Sequence, residues 1–199
     1  MSPETGGPEV VSETLTAAER ETLLRVARES IAGHFAGTPQ APWTARGALG
    51  EPRGAFVTLH RREDGELRGC VGMMRSDRPL VETVANMAVA AATEDRRFRP
   101  VTAAELPALS VEISALGPLR PIRPEEVEVG RHGLLIADGV QRGVLLPQVA
   151  VEHGWDRQAF LDHTCRKAGL PEGTWRNPGI ELLAFTADVF GEDEGDPRA

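Results

Sequence analysis

Two Asp-Gly pairs, at 64–65 and 138–139, each stand between short runs in which apolar and polar residues alternate. GAFVTLH (54–60) and ELRGCVGM (66–73) flank the first; GLLIA and VQRGVLL, within 133–146, flank the second. Asp-Gly favours a tight hairpin turn because glycine takes positive φ without a steric cost, and alternation is the period of a half-buried strand. The chain is therefore committed to at least two antiparallel hairpins. Its helices must pack on them.

Helix signals fill the gaps. Thr16 and Glu19 have capping-box spacing, Leu24, Ala27, Ile31 and Phe35 keep one apolar stripe, and Gly37 with Pro39 closes that helix. The Pro- and Gly-rich stretch 38–53 is expected to cross the surface. Ser76-Asp77 reads as a cap and Pro79 as a first-turn residue for an alanine-rich helix over 79–94, with Leu80, Val84, Met87 and Ala91 buried. Leu109, Val111, Ile113 and Ala115 alternate as a strand. A helical stretch begins near Pro147, a second runs from Asp156 to Ala168 and stops at Gly169, and 180–190 reads as one final strand. Helices and antiparallel hairpins in irregular order give an α+β class with a mixed or antiparallel sheet.

At 199 residues the chain suits one domain, with room for a subdomain. Residues 1–14 have the composition of a disordered leader, 15–190 form the domain, and 191–199 make an acidic tail. No apolar run reaches membrane-spanning length and no basic-then-apolar leader is present, so a cytoplasmic location is expected. Cys70 and Cys165 lack zinc-site spacing and are too few for a disulfide framework; free thiols and no intrinsic metal are expected. The net charge of −8 argues against strong nonspecific nucleic-acid binding. Between Arg53 and Arg99, however, nine arginines face seven acids.

That basic segment surrounds LRGCVG. Cys70 reads either as a small apolar strand residue or as a reactive thiol. The functional reading rests on Gly69 and Gly72, which remove bulk and let backbone or ligand approach. Arg68, on the same side by period two, would favour the thiolate and help hold an anionic substrate. Asp95 and Arg97, in the turn after the alanine-rich helix, read as a solvated pair or as part of an anion pocket. His163 is a candidate base for Cys70, whereas Cys165, on the same helix, is expected to face the core. LRGCVG matches neither GxGxxG nor GxxxxGK[ST], which removes a nucleotide-hydrolase reading.

Taken together, LRGCVG, EDRRF, ELPALSVEIS, GVLLPQVAVEHGW and FLDHTCRKAGLP resemble the AMMECR1 domain family, in particular the A component of the AmmeMemoRadiSam system, from about Thr16 to Phe190. Val71 stands where isoleucine is usual and Arg96 where proline is frequent. The resemblance implies a larger and a smaller α+β part with a cleft between them. It also implies two partners, a Memo-like protein and a radical S-adenosylmethionine protein, to which any iron or S-adenosylmethionine would belong. Two functions follow as expectations: a cysteine-dependent enzyme component acting on a small molecule or RNA, or a noncatalytic binding and adaptor module for those partners.

Overall fold

A computed structural model describes residues 14–38 and 42–192. Of the expected leader only Thr14 lies within the described residues, and of the expected tail only Gly191 and Glu192. In chain order the main elements are α1 (Ala17–Ala36), β1 (Ala55–Arg61), β2 (Leu67–Met73), α2 (Leu80–Thr93), β3 (Leu109–Leu116), β4 (Arg120–Pro121), β5 (Gly133–Asp138), β6 (Gln141–Leu145), α3 (Pro147–Glu152), α4 (Arg157–Lys167), β7 (Glu181–Phe185) and β8 (Ala187–Gly191). The class is α+β. Two sheets are present, ordered β2-β1-β3-β8 and β4-β7-β5-β6. The chain divides into two units, residues up to Ile113 with those from Phe190 onward, and Ser114–Val189.

In the first unit, α1 begins at the capping box. The Thr16 side chain accepts from the Glu19 amide while the Glu19 carboxylate takes the Thr16 N–H at 2.8 Å, satisfying amides that the helix start leaves open. Gly37 closes the helix at φ 63°. The buried face is Leu23, Val26, Ala27, Ser30 and Ile31, rotated from the expected stripe, with Leu24 and Phe35 only half-buried. The apolar side of this helix is wide enough for either rotation, and packing against α2 selects one.

Ten of the fourteen residues of α2 are buried, which makes it a core helix with contacts to α1, β1 and β2. Its N-cap is Pro79, without a side-chain cap, in place of the expected Ser76-Asp77. Ser76 Oγ instead accepts from the Arg78 amide at 3.0 Å and from Thr83 Oγ1 at 2.8 Å, bracing the turn that leads into the helix.

β1 and β2 pair antiparallel, with Thr58 opposite Cys70, Phe56 opposite Gly72 and Leu59 opposite Gly69. The register shifts at the next pair, His60 with Leu67, so Arg68 has no opposite residue and the alternation is interrupted there. Ala55, Val57 and Leu59 are fully buried on the side where α2 packs. Among the described residues β2 has β1 as its single strand neighbour. At the other end of the sheet, the Glu192 carboxylate receives Arg28 at 2.6 Å, Arg62 at 2.8 Å and the Val111 amide at 3.0 Å.

The second unit is built on the antiparallel sheet β4-β7-β5-β6. Leu134 and Ile136 face α4 residues Phe160, Leu161 and Cys165 in one core, and Leu135, Ala137 and Leu183 form a smaller cluster. The expected single strand over 180–190 is two strands in two sheets, parted at Thr186. ELLAFTADVFG alternates without a break and threonine suits a strand, so nothing local marks the change. The Gly117 N–H bonded to the Thr186 carbonyl at 2.8 Å marks it in three dimensions.

Candidate functional site

Cys70 is half-buried on β2, and the chain around it is held from three directions. Across the hairpin, Thr58 Oγ1 donates to the sulfur at 3.3 Å. On the open edge of the strand, the Cys70 N–H donates to Asp95 Oδ2 at 2.8 Å, and Arg97 Nη2 reaches the Cys70 carbonyl at 3.4 Å. The Asp95–Arg97 segment thus caps at Cys70 the backbone groups that an edge strand leaves unpaired.

Asp95 and Arg97 are themselves locked together. Arg97 donates from Nε to Oδ1 at 3.0 Å and from Nη2 to Oδ2 at 2.7 Å, and its backbone N–H meets Oδ1 at 3.1 Å. The Asp95 side chain is 7% exposed and that of Arg97 58%. The Arg97 guanidinium chiefly holds the Asp95 carboxyl far below the usual carboxylate range; burial opposes this, and the Cys70 amide adds to it. Arg97 is raised in turn, first by Asp95 and, more weakly, by Cys70. A permanent cation with an open flank therefore stands beside the thiol.

Arg68 is engaged elsewhere. It donates to Glu105 Oε1 at 3.1 and 3.2 Å and to the Arg99 carbonyl at 2.9 Å, with 14% of its side chain exposed. This fastens the 99–105 loop to β2 and spends the charge on the protein's own groups.

Neither glycine leaves open space. A Cβ on Gly69 would fall within 3.0 Å of the Ala91 carbonyl oxygen, so this glycine lets the α2 backbone lie directly on the strand. A Cβ on Gly72 would enter the Phe56 ring, which covers that position across the hairpin. The close approach expected at these positions is made by the protein itself.

His163 lies in the second unit, on α4. Its ring stacks on Trp155 at 3.6 Å between centroids and 13° between planes, and His153 meets the same indole edge-on at 4.7 Å. Arg166 Nη2 is 3.3 Å from His163 Nε2, and because a guanidinium only donates, Nε2 is the accepting nitrogen. Burial, with Arg166 second, pushes the imidazole below its usual value, which favours its neutral form. Cys165, two residues on, is fully buried, and burial raises its thiol.

Thr58 is the site residue that sequence reasoning passed over. Its signal was partial: a two-residue Asp64-Gly65 turn sets Leu59 opposite Cys70, and the register shift between Leu59 and His60 is what brings Thr58 there. Among the described residues no group of three or more His, Cys, Asp or Glu is placed to hold a metal, and no helix is long and apolar enough to cross a membrane.

The AMMECR1 family model matches residues 24–190, which takes in both the Cys70 hairpin and the His163 helix. A Methanopyrus kandleri protein is 42% identical over 195 residues, covering 92% of this chain and 93% of its own. A Methanocaldococcus jannaschii protein is 41% identical over 187 residues, covering 90% and 93%. Among solved structures, the crystal structure of an uncharacterized Pyrococcus horikoshii protein aligns with a TM-score of 0.76 at 39% identity, over 87% of this chain and 91% of that one.

Proposed function

The chain belongs to the AMMECR1 family, and from that premise we propose that it is the AMMECR1-type component of a three-protein system with a Memo-like and a radical S-adenosylmethionine protein, handling a small-molecule or RNA substrate at Cys70. The observation that carries this reading is the state of the thiol. Cys70 is reachable while Cys165 is sealed, and its backbone N–H and carbonyl are both held from the open edge of β2, by Asp95 and Arg97. Such clamping costs side-chain entropy and suits a group that must be presented in one orientation.

In this reading the Cys70 thiol adds across a polarised double bond of the substrate: Sγ bonds to the electrophilic carbon, the π pair moves to the attached heteroatom, and that atom takes up the thiol proton. Thr58 Oγ1 orients the sulfur, and Arg97 neutralises an anionic group of the substrate from its exposed flank. Asp95 acts as a positioning residue for both. Iron and S-adenosylmethionine are assigned to the partners.

A second reading, a noncatalytic binding and adaptor module, draws support from the packing roles of Gly69 and Gly72. Among the described residues of its own unit the thiol also has no imidazole or carboxylate bonded to it, only the Thr58 hydroxyl. Activity of the reconstituted three-protein system separates the two. Cys70→Ala and Cys70→Ser both fold and both abolish turnover if the thiol is chemical, because a hydroxyl is a poor nucleophile at neutral pH. Full turnover in Cys70→Ala would overturn the enzyme reading and leave the module.

A further inference from the structure

Between the end of β2 and the first turns of α2 lies a cavity of about 770 Å³, lined by Met73, the turn residues 75–78 (Arg75, Ser76, Asp77 and Arg78), Thr83 and Asn86. That volume is in the range of small-molecule sites and far exceeds an inorganic ion. Its arginines differ from the ion-paired arginines of the unit. Arg28 and Arg62 are paired with Glu192, Arg61 with Asp64 and Glu66, Arg68 with Glu105, and Arg97 with Asp95. Arg75 and Arg78 are exposed, and neither guanidinium has a hydrogen-bond or ion-pair partner among the described residues, although Asp77 lies between them in sequence.

The turn that carries these arginines is built in place. Ser76 Oγ takes both the Arg78 amide and the Thr83 hydroxyl, tying residues 76–78 to the first turn of α2. Two uncompensated guanidiniums on a braced turn offer more donors than a carboxylate can accept in its plane, and suit the three oxygens of a phosphate monoester. The Met73 side chain, 37% exposed, supplies an apolar wall, and Asn86 an amide, for an organic body beyond the phosphate.

We propose that this cavity binds a small phosphate-bearing organic molecule of about nucleotide size. The site is distinct from the thiol. By the period of a strand Met73 and Cys70 face opposite sides of β2, and three residues separate them by roughly 10 Å.

Calorimetric titration of the full chain with AMP and ribose 5-phosphate as probes tests this, with adenosine, citrate and inorganic phosphate as comparisons. Saturable binding of at least one phosphorylated probe is expected, with adenosine silent, citrate weaker, and inorganic phosphate competing at lower affinity. The Arg75→Ala/Arg78→Ala variant should lose at least about tenfold in affinity, since charge-assisted bonds to phosphate are removed. Amide resonances of Ser76 and Asn86 should shift on titration in the unsubstituted protein. Cys70→Ala should bind as the unsubstituted protein does, so failure here is distinguishable from failure of the thiol reading. The proposal is overturned if neither probe binds saturably below about 10 mM, if adenosine or citrate binds as well, or if the double variant keeps its affinity.

Discussion

The two Asp-Gly hairpins carry the same local sequence logic and use it for different ends. In each, the second strand has a glycine where a helix backbone lies on it: Gly69 under Ala91 of α2, and Gly143 under Thr164, Lys167 and Ala168 of α4. On the far side they diverge. The second hairpin closes a small apolar cluster of Leu135, Ala137 and Val144, whereas the first presents Thr58 and Cys70, fenced by Asp95 and Arg97. The glycine beneath the helix in each hairpin is thus a device for seating that helix, present with or without a thiol next to it. The site is defined by what the loop after α2 brings to the edge of β2.

The comparison breaks if the two glycines are not equivalent. Gly69→Val and Gly143→Val should each destabilise by on the order of 3 kcal/mol, because a side chain there is driven into helix backbone that cannot rotate away. Urea denaturation checks it. A Gly69→Val protein of unaltered stability would return that glycine to the site.

A smaller effect sharpens the difference between the far sides. The Asp95 carboxyl is depressed below 3.8, so its contribution is complete above about pH 4 and is lost as pH falls through its folded-state value. Asp95→Asn should cost about 1.5–3 kcal/mol at pH 7. The variant's stability should also fall less steeply than that of the unsubstituted protein between pH 4 and 2, read from denaturant midpoints.

The smallest change belongs to the second unit. His163 is depressed below 6.5, so the stability it contributes is present above that pH and is lost as pH falls through its folded-state value. His163→Phe keeps an aromatic ring on Trp155 and removes the titration. Its denaturation midpoint should therefore vary less between pH 7.5 and pH 5 than that of the unsubstituted chain. Equal pH dependence in the two proteins would show that the imidazole titrates alike in the folded and the unfolded chain.

Much of the fold was legible because its signals are local. Thr16 with Glu19, Asp156 at the start of α4, and glycines at 37, 65, 139 and 169 act through neighbours within four residues, and each does what its type demands. The rotation of α1, the N-cap of α2 and the division at Thr186 were not legible. Each is decided by a partner remote in sequence: α2 against α1, Thr83 holding Ser76, Gly117 meeting Thr186. The site divides along the same line. Asp95 and Arg97 could be named from their place after a helix, but that they clamp the backbone of Cys70 required the turn to fold back 25 residues onto the strand.

By itself, then, the amino-acid sequence determined the α+β class, both hairpins and a family likeness that the comparisons established, because turn chemistry and hydrophobic period act over a few residues. Tertiary structure alone decided the meaning of LRGCVG. A glycine's purpose lies in whatever atom fills the space its side chain would have taken, and here that atom belongs to Ala91 or Phe56. An arginine's purpose lies in its partner. The bulge at Arg68 and the reach of Glu105 turned one charge inward, while Arg75 and Arg78, with no such partner among the described residues, face a cavity. Long-range packing selects among the contacts that local chemistry permits, and period and propensity carry no record of that selection.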